Sequence, residues 1–136
     1  MKVCGIELKS NQVILTVLEK QDDDIVIYVD LKIKKISLED DECNESVKLF
    51  FSQVNSFLEE NQIQKIFIKK RAKKGNFAGG PVTFKMEGLM QMNFICEVDL
   101  IAAATVNSYE KKNSIEFPSE LKKYQVGSYL TALASF

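Results

Sequence analysis

A dense basic run is the most chemically distinctive feature of the sequence. Five cations occupy six consecutive positions and a glycine-containing segment follows: Lys69, Lys70, Arg71, Lys73 and Lys74, then Gly75-Asn76-Phe77-Ala78-Gly79-Gly80. A cationic loop that leads into a helix can hold phosphate, because backbone N–H groups and the helix dipole favour anions there. Phe77 could stack on a nucleic-acid base. The alternative interpretation is a solvated basic face, with Gly79-Gly80 forming only a tight turn.

Several catalytic classes lack the residues they need. The chain has no histidine, which excludes histidine-dependent triads and histidine metal ligands. It has no G-x-x-x-x-G-K-[ST] phosphate loop, because Lys73-Lys74-Gly75 lacks the required glycine spacing. Cys4, Cys43 and Cys96 are far apart and form no C-x-x-C pair. We therefore predict free thiols in a reducing, cytoplasmic location rather than a disulfide framework or a zinc site.

Length and charge set the class of protein. The 136 residues fit one globular domain, residues 1–136, with 46% hydrophobic and 27% charged residues. A net charge of −1 means that nucleic-acid or membrane binding would require a local patch. No run approaches the ~20 apolar residues of a membrane helix. Glu7 interrupts the region where a signal peptide needs an apolar run.

Alternating apolar residues predict the strands that position the basic run. Lys2 to Leu8 and Val13 to Leu18 form a predicted hairpin around the Ser10-Asn11 turn. The alternation from Ile25 to Ile33 predicts a third strand that is buried mainly on one face. Shorter apolar stretches predict a fourth and a fifth strand at Ile66–Ile68 and Phe94–Ile101.

Spacings of three and four predict the helices. The stripe from Val47 to Leu58 is amphipathic, and Asn44 is its expected N-cap. Further helices are predicted from Pro81 to about Met92, from Thr105 to Lys111, and from Pro118-Ser119 onward. The order β-β-β-α-β-α-β-α-α predicts an α/β fold with a mixed five-stranded sheet. In that sheet the first three strands are antiparallel, the fourth and fifth run parallel to the first, and helices cover the faces.

This order of elements is the one found in ribonuclease-H-like domains, and particular residues extend the likeness. Val3-Cys4-Gly5-Ile6-Glu7 resembles the first strand of Holliday-junction-resolvase relatives, which ends in Gly-Ile-Asp. The stretch from Ile66 through Lys-Gly-Asn-Phe-Ala-Gly-Gly to Phe84-Lys85-Met86-Glu87 resembles a bacterial family catalogued as a domain of unknown function. That likeness spans nearly the whole chain. It implies a ribonuclease-H-like fold and carries no assigned activity.

The resemblance also implies a chemistry. Nucleases of this fold cut phosphodiesters with two divalent ions, Mg²⁺ or Mn²⁺, held by carboxylates of the first strand, the fourth strand and the final helix. Glu7 stands at the first position, either as a catalytic or metal-binding group or as a solvated strand-end charge. At the second position Lys69-Lys70-Arg71 replaces a glutamate, and a cation there opposes metal binding. Near the third, Glu120 is interpreted as a helix-dipole acid in the first turn.

The leading hypothesis is therefore a ribonuclease-H-like domain with a degraded metal centre and no cofactor. It would bind nucleic acid weakly and without sequence preference through residues 69–80. One alternative is a divergent metal-dependent nuclease built on Glu7, with Glu87, Glu97 or Asp99 replacing the lost ligands. A second alternative is a protein-interaction scaffold whose basic loop meets an acidic partner. On the fold, we predict that Glu7 lies at the C-terminal end of a central strand, next to and parallel to the strand that contains Ile66–Ile68.

Overall fold

The structure is a computed structural model that describes residues 1–76 and 78–136. Its strands are β1 (Lys2–Lys9), β2 (Gln12–Lys20), β3 (Val26–Val29), β4 (Lys35–Ser37), β5 (Lys65–Lys69) and β6 (Glu97–Ile101). Its helices are α1 (Asn44–Glu60), α2 (Pro81–Gln91), α3 (Ala103–Lys112) and α4 (Val126–Ala134), with a 3₁₀ turn at Lys123–Gln125. Among these residues no helix is both long enough and apolar enough to cross a membrane.

The central part of the sheet has the predicted mixed topology. The strand order is β3-β2-β1-β5-β6, and β4 also pairs with β2. β1 and β2 are antiparallel, with Glu7 opposite Ile14, whereas β1 and β5 are parallel, with Ile6 opposite Ile68. β6 continues the parallel half beside β5. The prediction that Glu7 lies at the C-terminal end of a central strand, next to and parallel to Ile66–Ile68, is therefore confirmed: Glu7 is two residues from the end of β1 and directly follows the last residue paired with β5.

The prediction of five strands was wrong, because the third strand is broken in two. Val17 of β2 pairs with Val29, and Ile14 of β2 pairs with Lys35. Three residues along β2 therefore correspond to six residues along the partner segment. The extra residues form a bulge between β3 and β4, so the described sheet has six strands. The expected buried face is also incomplete, since Ile27 of the edge strand β3 and Ile25, just before it, are exposed.

Helices cover both faces of the sheet and create two packed clusters. Alternate residues of β1, including Cys4, Ile6 and Leu8, pack with Phe50 and Met86 of α1 and α2. The opposite face carries Val3 and Leu18, which pack with Tyr129 and Ala132 of α4. Because strand side chains alternate between faces, Glu7 lies on the face that α4 covers.

Three predicted boundaries also differ from the structure. The fifth strand begins at Glu97 rather than Phe94, because the Asn93 side chain accepts hydrogen bonds from the N–H groups of residues 95 and 96 and forms a turn. The last helix begins at Val126, so Glu120 precedes it and is not a first-turn acid. Asn44 is the first residue of α1 rather than its N-cap.

Candidate functional site

Glu7 is buried at the carboxyl end of β1. Its residue is 8% exposed, which excludes a solvated strand-end charge. The carboxylate packs directly against the backbone of α4 at Gly127. A Cβ added to Gly127 would lie 2.4–2.5 Å from the Glu7 carboxyl atoms, so a larger residue at this position would require the Glu7 side chain to move.

Two lysines neutralise this carboxylate. Lys69 Nζ lies 3.5 Å from Glu7 Oε2, and Lys9 Nζ lies 3.5 Å from Glu7 Oε1. Lys9 is two residues beyond Glu7 on β1. Lys69 follows Ile68 of β5, just as Glu7 follows Ile6 of β1, and Ile6 and Ile68 are paired. The strand geometry therefore brings both ammonium groups to the face of Glu7. Each oxygen of the carboxylate has a cation as its neighbour.

A buried polar cluster holds the start of α4 beside this pair. The hydroxyl groups of Thr16 and Ser128 lie 2.6 Å apart, and Ser128 Oγ also donates to the Gln125 carbonyl at 3.0 Å. Gln125 Nε2 donates to the Leu15 carbonyl at 3.1 Å. Because these buried groups have hydrogen-bond partners, the cluster fixes α4 over β1 and β2 without leaving unpaired polar atoms there.

The basic run forms a folded segment at the same edge of the sheet. Lys70 continues the pairing of β5 by donating its N–H to the Ile101 carbonyl at 2.8 Å. The segment then turns at Gly75, whose φ is +96°, and returns so that the Gly79 N–H donates to the Ala72 carbonyl at 2.8 Å. Three of the lysines are exposed on it: Lys70, Lys73 and Lys74. Phe77, the predicted stacking residue, lies outside the described residues.

Arg71 borders a cleft between the basic segment and α2. The cleft is about 240 Å³, and its lining includes the Ser10-Asn11 turn and the first residues of α2. Gly79 is required beside Arg71, because an added Cβ would meet Arg71 Cβ at 2.7 Å and Thr83 Oγ1 at 2.8 Å. Arg71 Nε is buried and has no acceptor among residues 1–76 and 78–136. A guanidinium thus belongs to a residue that lines the cleft, and its buried Nε is a donor whose hydrogen bond is not formed within the described residues.

The start of α2 offers fewer free N–H groups than the sequence predicts. Gly79 already donates to Ala72, and Thr83 donates its N–H to the Gly80 carbonyl at 3.1 Å. Pro81, at the first helical position, has no N–H. Anion binding at this edge would therefore depend more on the cationic side chains than on the helix terminus.

Comparison with known proteins places this geometry in a family. A family described as "Protein of unknown function (DUF3010)" matches residues 1–135. The chain belongs to the DUF3010 family. No curated protein matches it in sequence. The predicted family resemblance is thus confirmed.

The fold of this DUF3010 chain is similar to that of three solved structures. The Thermus thermophilus RuvC structure has a TM-score of 0.74 at 11% identity, with 98% of this chain and 92% of that chain covered. T. thermophilus RuvC in complex with Holliday junction substrate has a TM-score of 0.64 at 14% identity, covering 98% and 91%. The yeast mitochondrial Holliday junction resolvase Ydc2 has a TM-score of 0.63 at 16% identity, covering 97% and 76%. The fold is therefore ribonuclease-H-like and resolvase-like.

The other acids considered as metal ligands do not gather around Glu7 in this DUF3010 structure. Asp99 binds Lys65 at 2.8 Å, and this hydrogen bond raises the pKa of the Lys65 ammonium. Glu97 pairs in register with Lys65 at the opposite end of β5 from Lys69. Glu87 belongs to α2, which packs on the face of the sheet away from α4. In the described part of the chain no three His, Cys, Asp or Glu side chains form a metal-binding group.

Sequence reasoning missed the glycines and polar residues that position Glu7. A Cβ on Gly5 would lie 2.1 Å from the Ser128 carbonyl oxygen, so Gly5 allows α4 to approach β1 closely, and Gly127 leaves space for the Glu7 carboxylate. An isolated glycine inside a strand pattern indicates such an approach. The adjacent Gly127-Ser128 was a second indication, which the apolar stripe of this helix obscured.

Proposed function

We propose that this DUF3010 chain is a non-catalytic, cytoplasmic nucleic-acid-binding domain. In this proposal lysines stand where metal-dependent nucleases of the same fold hold metal ions, and no metal cofactor takes part. The observation that carries the proposal is the environment of Glu7, whose two carboxylate oxygens each lie 3.5 Å from an ammonium nitrogen.

Charge at this edge argues against a metal centre. Glu7 with Lys9 and Lys69 has a net charge of +1 when all three are ionised. A divalent ion placed about 4 Å from one ammonium would be repelled by about 8 kcal/mol at an effective dielectric constant of about 20. Two ammonium groups at that distance would repel it by about 16 kcal/mol, which cancels the attraction of about 16 kcal/mol from one carboxylate at a Mg²⁺–oxygen distance of about 2.1 Å. Binding of Mg²⁺ or Mn²⁺ would also require both ion pairs to break.

The same charges suit a phosphate backbone. Lys70, Lys73 and Lys74 are exposed beside the Arg71 cleft, so several phosphates of one strand can meet cations along the edge. One structure of similar fold is a resolvase in complex with Holliday junction substrate, which supports a nucleic-acid partner. The net charge of −1 gives no long-range attraction, so we expect binding to be weak, without sequence preference and sensitive to salt.

Fluorescence anisotropy with a labelled oligonucleotide at several salt concentrations tests the proposal. The informative variant replaces three exposed lysines of the basic segment with alanine: Lys70, Lys73 and Lys74. A matched control makes the same change in net charge at three exposed lysines of α1 and α3: Lys48, Lys111 and Lys112. The first variant should bind more weakly and flatten the slope of log affinity against log salt by about 0.7–0.9 for each phosphate that it no longer neutralises.

The control variant should bind like the wild type, and EDTA should leave the affinity unchanged. Equal binding by both triple variants would identify the basic segment as a solvated face and end the proposal. Nuclease assays on junction, duplex and hybrid substrates with Mg²⁺ or Mn²⁺ test its non-catalytic part. Metal-dependent cleavage that disappears in Glu7→Gln would favour the divergent nuclease instead.

A further inference from the structure

A second surface lies at the other side of the sheet, in a groove between the edge strand β4 and helix α1. The groove is about 550 Å³ and has an apolar floor that includes Phe50 and Phe57. Two apolar side chains on its walls are exposed to solvent: Ile33 by 50% and Leu49 by 56%. Polar residues of β4 and α1 line its rim: Ser37, Ser46, Ser52, Gln53 and Ser56.

Within residues 1–76 and 78–136, the strand that borders this groove has one backbone edge without a pairing partner. The Leu15 N–H donates to the Lys34 carbonyl, and the Leu38 N–H donates to the Asn11 carbonyl, so residues 34, 36 and 38 direct their backbone groups toward β2. Successive residues of a strand direct these groups to opposite sides. The N–H and C=O groups of Lys35 and Ser37 therefore point away from β2. They form a short template for another strand.

The length of the groove fits a short extended segment. The lining residues of α1 run from Ser46 to Glu60. Fourteen helical steps of about 1.5 Å span about 21 Å. At about 3.3 Å for each residue, an extended chain of roughly six residues covers this distance.

Acidic side chains stand at the two ends of the groove. Glu39 follows β4 at the end where Ser46 accepts a hydrogen bond from the Asp40 N–H, and Glu60 lies at the other end of α1. Lys35 also borders the groove, but its ammonium group makes a cation–π contact with Tyr124, 4.0 Å from the centre of the ring. The charges therefore match a segment that is basic at its ends and apolar between them.

We propose that this groove binds an extended peptide segment of a partner protein. The segment adds to the sheet as a strand on β4, its apolar side chains contact Ile33 and Leu49, and its terminal lysines or arginines face Glu39 and Glu60. Backbone pairing supplies affinity in this mode of recognition, and side chains on alternate positions supply specificity. The site is separate from the edge that carries Glu7 and the basic segment.

Selection from a phage-displayed library of random octapeptides, followed by anisotropy with the enriched peptide, tests this site. The enriched peptides should carry Lys or Arg on both sides of an alternating apolar centre. Leu49→Glu should weaken binding at least tenfold, whereas Met92→Glu, at a residue that is 69% exposed outside the groove, should not change it. Glu60→Lys should weaken binding of the peptide enriched on the wild-type protein. It should strengthen binding of a peptide variant with glutamate in place of the basic residue at one end.

A proline scan of the enriched peptide tests strand addition itself. Proline lacks the N–H that pairs with β4, and successive residues of a strand direct their N–H groups to opposite sides. Proline at one central position should therefore abolish binding, whereas proline at the next position should be tolerated. No enrichment above background would overturn the proposal. Equal binding by Leu49→Glu and the wild type, or tolerance of proline at every position, would overturn it as well. Because none of these changes touches the basic segment, oligonucleotide binding should stay unchanged throughout.

Discussion

Replacing Gly5 with alanine tests whether the close contact between β1 and α4 holds the Glu7 edge together. The added Cβ would lie 2.1 Å from the Ser128 carbonyl oxygen and 2.7 Å from Ala132 N, whereas ordinary contacts are 3.4–4 Å. Both atoms belong to the backbone of α4, so no side-chain rotation relieves the overlap. The helix must move by about 1 Å, and we expect overpacking of this kind to cost about 3 kcal/mol.

Urea unfolding followed by circular dichroism measures this cost. For a slope of about 2 kcal/mol/M, the midpoint should fall by about 1.5 M with the slope unchanged. The matched control is Gly88→Ala within α2, where an added Cβ meets nothing within 4 Å. That change should stabilise the protein by about 0.5–1 kcal/mol, because glycine is a poor helix former. A Gly5→Ala midpoint equal to that of the wild type would refute the tight packing of α4 on β1.

Three further predictions concern buried thiols and the ion pair. Burial raises the pKa of Cys4 above 9.0, so the folded state keeps a proton that the unfolded chain releases. Stability present below pH 9 should therefore fall as the pH rises, and Cys4→Ala should remove about 1.4 kcal/mol of the loss between pH 8 and 10 in urea titrations. Partial burial raises the pKa of Cys96 to about 11 from 9.0. Iodoacetamide at pH 8 should thus alkylate it about 100-fold more slowly in the folded than in the unfolded protein, and peptide mass spectrometry showing equal rates would contradict this. Lys69→Met should lower the free energy of unfolding by about 1–2 kcal/mol, because it leaves the buried Glu7 charge with one cation fewer. If the effects of Lys69→Met and Glu7→Gln on this free energy are additive in a double-mutant cycle, the ion pair is contradicted.

The sequence predicted the central strands well but not the edge of the sheet. The alternation in β1 and β2 is continuous because both faces of these strands are covered by helices. The pattern from Ile25 to Ile33 has the same period, yet it contains no information about a shift in pairing register. The bulge between Val29 and Lys35 was therefore invisible, and one predicted strand became two.

The candidate site was predictable in position but not in detail. The order of elements was enough to bring Glu7 and Lys69 to neighbouring strand ends, and the structure adds their direct contact. The contribution of α4 was not predictable from hydropathy, because its buried face includes Ser128 and Thr131 beside Gly127. Close backbone approach requires small residues there, and hydrogen bonding requires polar ones. A search for apolar stripes detects neither.

The pairing of Glu7 with Lys9 and Lys69 gives this edge internal counter-ions. A cluster of carboxylates repels itself until a dissolved cation binds, so its geometry depends on the concentration of divalent ions in the cell. A carboxylate neutralised by its own chain has no such requirement. The shape of this edge should then be the same in chelator and in millimolar magnesium, and ionic strength, rather than the identity of the cation, should govern what it binds.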